Sequence, residues 1–168
     1  VDGAAFPAYE LIPFQIAGVR LRTFYHPLLK NVVNAGYAAS PTTIATKADA
    51  LRRFSRAIVK ASLLVRLNPA AAARLALTAH GAPFTDADVD VYTRELALWQ
   101  DALPAHDPAS TKVGYIPLPG EEVYSKLLAQ YGITKAPVPV DAIVTNQFVD
   151  FANDFDHKAF IAQVQAMH

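Results

Sequence analysis

The 168-residue chain carries 15 basic and 15 acidic side chains, has no cysteine, and is just over half apolar. This length and apolar content suit one ordinary domain with a core and exclude a disordered chain. The balanced charge argues against a nucleic-acid binder, and the lack of cysteine excludes disulfides, thiolate chemistry and cysteine-ligated metals.

The chain opens Val1-Asp2-Gly3-Ala4-Ala5-Phe6, without methionine. These residues read as a buried strand entered partway, so the sequence is expected to begin inside a fold. After Pro7, residues Tyr9, Leu11, Ile12, Ile16 and Ala17 follow a helical rhythm that stops at Gly18. Pro13 is the weak point of that helix, because it removes an internal hydrogen bond. Val19 to Tyr25 alternates apolar and polar residues as a half-buried strand does. Strand, helix and strand together form the core of a βαβ unit. Residues 26–46 contain Pro27 and Pro41, with short extended pieces near Asn31–Val33 and Tyr37–Ala39, and read as a crossing between two packed bodies.

From there the pattern is helical. Thr46 is placed to cap a helix over about 47–67, with Asp49 in its first turn and Leu51, Phe54, Ile58, Ala61 and Val65 as the buried stripe. Arg52, Arg53, Arg56 and Lys60 follow helical spacing and read as a solvated face. Asn68-Pro69 is a cap followed by proline at the first helical position, and Gly81 closes that helix. Thr85 opens the next one, with Asp86 and Asp88 at its positive end. Val89, Tyr92, Leu96, Trp99 and Leu103 share a face of that helix. Pro104 to Pro119 reads as a loop. A helix follows over about 120–131, ending at Gly132. Two short helices, Thr145–Ala152 and Asp156–Met167, finish the chain. No apolar run approaches the roughly 20 residues that span a bilayer.

The densest polar stretch is TNQFVDFANDFDHKAF, with Asp150, Asn153, Asp154, Asp156 and His157 within eight residues. A metal site needs three or four converging ligands, whereas the one histidine and the short carboxylates here are divided between two helical patterns. Capping accounts for them better. Asp156 can accept the free N–H groups of the last helix, and Asn153 can close the preceding helix in a left-handed turn. Phe148, Phe151 and Phe155 supply an apolar anchor, and His157 faces solvent. No metal and no cofactor is expected.

Other chemistry is sparse. No P-loop, G-x-G-x-x-G or G-x-S-x-G motif occurs. His80 stands at a helix C-terminus beside Gly81, where a cation suits the dipole. His106 adjoins Asp107 in a proline-flanked loop, and Ser55 and Ser62 lie in a helix with no evident base. No catalytic residue is assigned, and a non-enzyme is expected. The turn Phe6-Pro7-Ala8-Tyr9 is the best site candidate. It leaves the carboxyl end of a strand and starts a helix, where open α/β sheets bind ligands and helix N–H groups favour an anion. Phe6 and Tyr9 add aromatic surface there, and Tyr25-His26 ends the neighbouring strand. The four candidate ligand-binding residues are therefore Phe6, Tyr9, Tyr25 and His26.

Three segments in order carry a family resemblance. VDGAAFPAYELIPFQIAGVRLR resembles the strand–helix–strand of the nitrate/taurine-type periplasmic solute-binding proteins, relatives of the thiamine-pyrimidine-synthesis proteins that feed ABC importers. RRFSRAIVKASLLVRLNPAAAARL resembles their long helix and asparagine–proline helix start. VPVDAIVTNQFVDFANDFDHKAF resembles their C-terminal end. The resemblance implies the C-terminal half of a two-lobed α/β fold of the type II periplasmic-binding class, helix-rich after residue 46. Residues 1–30 would end the second lobe, 31–46 would cross the hinge, and 47–168 would be the helical part of the first lobe. It also implies an exported protein, with a small-molecule ligand, the N-terminal half of the same protein and a permease as partners. Many relatives carry an acidic residue and proline after the Asp-Ala strand, whereas this chain has Pro7-Ala8. Gly3 also replaces the usual alanine. The aromatic residues at the turn favour a planar ring such as a pyrimidine over nitrate. Two alternatives share these residues: an enzyme of thiamine-pyrimidine biosynthesis on the same fold, and a truncated, non-catalytic interaction module.

Overall fold

The computed structural model describes residues 11–24, 32, 36–102 and 112–167. Its elements are α1 (Ile12–Ile16), α2 (Pro41–Thr46), α3 (Ala48–Leu67), α4 (Pro69–His80), α5 (Asp86–Ala102) and α6 (Leu118–Gln130). A 3-10 turn at Val140–Ala142, then α7 (Val149–Asn153) and α8 (His157–Gln165), complete the order. The helix-rich character expected after residue 46 is present. Among the described residues there is no strand. The strand expected at 1–6 lies outside the described residues, and the one expected at Val19–Tyr25 is irregular backbone over 19–24. Alternation is a local signal, but a strand exists only where its N–H and C=O groups meet a second strand. Here Val19, Leu21 and Phe24 are exposed, Phe24 to 78%. Among the described residues, no helix is long and apolar enough to cross a membrane.

The chain divides into two compact units. The described parts of one are 11–21, 56–102 and 154–167; those of the other are 22–24, 32, 36–55, 112–153. Among the described residues the boundaries fall after Leu21, inside α3 after Ser55, and after Asn153.

In the first unit α4 packs on α5, and α1 packs on α5. Asn68 caps α4: its side-chain oxygen accepts the N–H of Ala71 at 3.0 Å, and Pro69 fills the first helical position. Gly81 ends the helix at φ +79°, a conformation that costs an L side chain about 1 kcal/mol or more. Ala71, Ala72 and Ala73 are all buried. Three consecutive residues sweep about 200° of a helix, so α4 is covered well beyond one face, and only a methyl-sized side chain permits that. At the start of α5, Thr85 and Asp88 cap reciprocally. The Thr85 N–H and hydroxyl each donate to one Asp88 carboxylate oxygen at 2.7 Å, and the Asp88 N–H donates to the Thr85 hydroxyl at 3.3 Å. The expected face of α5 is borne out at Val89, which is buried, and at Tyr92 and Leu96, which are half-buried. Val59, Val89 and Val164 complete the buried apolar set of this unit, each contributing about 1.5–3 kcal/mol.

In the second unit α6 packs on the 3-10 turn. Helix α6 begins at Leu118, two residues before the expected start, because Pro119 sits in its first turn, where no N–H is needed. It ends in a Schellman arrangement, with the N–H of Ile133 donating to Leu128 O at 2.9 Å, that of Gly132 to Ala129 O at 3.1 Å, and Gly132 at φ +72°.

Several local expectations are corrected. Pro13 removes no internal hydrogen bond: α1 starts at Ile12, so Pro13 occupies its tolerant first turn. Part of the expected crossing segment is helical: Ser40 caps α2, its hydroxyl accepting the Thr43 N–H at 3.1 Å ahead of Pro41. Thr46 therefore belongs to α2, donating its hydroxyl to Thr42 O at 2.7 Å, and does not cap α3. The stripe assigned to α3 is borne out in part, with Leu51, Ile58 and Val65 half-buried. Val59 is its buried residue, while Ala61 is exposed and Phe54 is 44% exposed. A single stripe assumes one body along the whole helix, yet α3 is shared between two units. Phe54 instead meets Tyr37 edge-to-face, centroids 4.9 Å apart. The expected helix over Thr145–Ala152 begins only at Val149.

Candidate functional site

All four residues singled out for ligand binding, Phe6, Tyr9, Tyr25 and His26, lie outside the described residues, as do His106 and Asp107.

The acidic stretch at the C-terminal end is architectural. Asp156 accepts the N–H of Ala159 at 2.9 Å and caps α8, as expected. The expected left-handed closure at Asn153 is overturned: among the described residues, no residue other than glycine has positive φ. Asn153 is the last residue of α7 and sends its side chain to Val113. Its Oδ1 accepts the Val113 N–H at 3.0 Å, and its Nδ2 donates to Val113 O at 3.0 Å and Val149 O at 2.8 Å. Asp150 pairs with Lys112 at the surface of the same unit. Among the described residues, no group of three or more His, Asp or Glu side chains could hold a metal ion.

Asn146 repeats the arrangement. Its Oδ1 accepts the Ile116 N–H and its Nδ2 donates to Ile116 O, both at 2.9 Å. An amide side chain offers one acceptor and two donors in one plane. It can therefore close both backbone groups of a residue that has no strand or helix partner. Asn146 and Asn153 do this for two residues three apart, pinning the approach to α6. Asn146 makes the clasp from the non-helical backbone of residues 143–148, Asn153 from the end of α7. The signal in the sequence was an asparagine where a helix was expected to begin.

In the first unit, Asn68 combines its cap with a longer tie. Its Nδ2 donates to the carbonyls of Val164 at 3.0 Å and Met167 at 3.1 Å, at the end of α8. Phe155 lies over the start of α8, with the His157 ring stacked on it at 4.2 Å and 14° and Phe160 edge-on at 5.6 Å. Lys60 places its ammonium 4.9 Å from the Phe155 ring centre and 5.3 Å from that of Phe160. His157 is exposed, as expected, with one face of its ring against Phe155.

Described residues of the second unit line a pair of open clefts. One, about 530 Å³, runs between α6 and the segment Pro137–Asp141, with Glu122, Lys126 and Asp141 at its edge. Its buried polar side chain, Ser125, accepts the Val138 N–H at 2.7 Å and donates to Val138 O at 2.8 Å, so its hydroxyl proton is already committed. The other, about 270 Å³, is lined by Asp49, Arg52, Arg53 and Phe151, and the Asp49–Arg52 pair spans 2.9 Å at its rim. Neither cleft brings a nucleophile to a base or converges several polar groups on one point. The exposed Asp49–Arg52 pair is worth at most about 1 kcal/mol and is a surface feature.

No family model, curated protein or solved structure matches the chain.

Proposed function

We propose that the chain is the C-terminal half of a two-lobed α/β solute-binding protein of the nitrate/taurine type. It would be exported, would capture a small anionic or planar heterocyclic solute between its lobes, and would deliver it to the permease of an ABC importer. Its action is closure of two lobes around the solute, a hinge motion with no covalent step. The turn at Phe6-Pro7-Ala8-Tyr9, with Tyr25 and His26, supplies this half's wall of the cleft.

One observation carries the reading. The asparagines that mark the resemblance are tertiary ties: Asn68 holds the end of α8, and Asn146 and Asn153 hold the segment before α6. Each tie joins residues 30 to 99 apart in the chain, so these asparagines are placed by tertiary contacts, which supports reading them as landmarks of a scaffold.

The test is a thermal-denaturation titration of the full gene product with an aminopyrimidine, an alkylsulfonate and nitrate. One of them should raise the midpoint in a concentration-dependent way, and Tyr9→Ala or Phe6→Ala should weaken that rise. A full-length protein whose midpoint none of the three moves, or one that converts the pyrimidine to a product, overturns the reading.

A further inference from the structure

We draw no further inference here: the strongest candidate, the exposed apolar side chains Tyr131 and Ile133 in the turn that follows α6, is an unpartnered surface, and nothing in the structure shows what covers it.

Discussion

The side-chain amide of Asn68 donates to the carbonyl oxygen of Val164, 96 residues further along the chain, at 3.0 Å, while its oxygen caps α4. One side chain thus starts one helix and ends another. The carbonyls at a helix C-terminus lack partners within the helix, and Nδ2 serves two of the last ones in and after α8, those of Val164 and Met167. Asn68→Ala loses the cap and both ties and is expected to cost roughly 2–3 kcal/mol. Asn68→Asp is the sharper variant. Aspartate caps as well as asparagine does, but it would set a carboxylate oxygen against two carbonyl oxygens. Urea denaturation should therefore place Asn68→Asp no higher than Asn68→Ala. An aspartate variant as stable as the parent would show that the tie to α8 contributes nothing.

Ser125 is buried on α6 and closes both backbone groups of Val138. Ser125→Ala leaves a part-buried N–H and C=O without partners, which costs about 2 kcal/mol. The lost order should be local. Hydrogen exchange should accelerate at the Val138 amide and leave the amides of α4 unchanged. Unaltered protection at Val138 would count against the assignment.

Thr85 holds the Asp88 carboxyl below its ordinary value, first through the Thr85 backbone N–H and then through its hydroxyl. A carboxyl lowered in the folded state stabilises the fold above its unfolded value of about 3.9, and that contribution fades as pH falls through the lower, folded value. Acid titration of stability should accordingly show a loss below about pH 4 that is smaller in Asp88→Asn. If the two acid profiles run parallel, the capping carboxylate carries no pH-linked stability.

Lys60 lies against Phe155 and Phe160 at the start of α8. Lys60→Met keeps the aliphatic stem and removes the charge, so it isolates the cation–π part, expected at about 0.5–1 kcal/mol. Phe155→Leu removes the nearer of the two rings that Lys60 faces and should shrink the cost of Lys60→Met in a double-mutant cycle, leaving the part that Phe160 supplies. Additive losses would mean that Lys60 contributes through something other than the ring.

The buried apolar set of the first unit makes Val164→Ala informative, since that side chain is 1% exposed. Removing two carbons and leaving part of the space empty should cost about 2 kcal/mol. Unchanged stability in equilibrium unfolding would mean that α8 is not part of the cooperative unit.

What the sequence determined by itself was local chemistry. Asn68-Pro69, Gly81, Thr85 as the start of α5, Gly132 and Asp156 were all legible, because a cap is a contact within four residues of its own helix and depends on side-chain type alone, although the reciprocal bond between Asp88 and Thr85 was read only as a charge at the helix end. The tertiary structure decided what depends on partners far along the chain. It left residues 19–24 without a strand, moved the buried position of α3 to Val59, and turned Asn153 from a helix terminator into a clasp on Val113. Apolar alternation says that one side of a segment is apolar, but only packing decides which side finds cover. An amide has the same donors and acceptors at a turn or across forty residues, and only the fold decides which backbone group it meets.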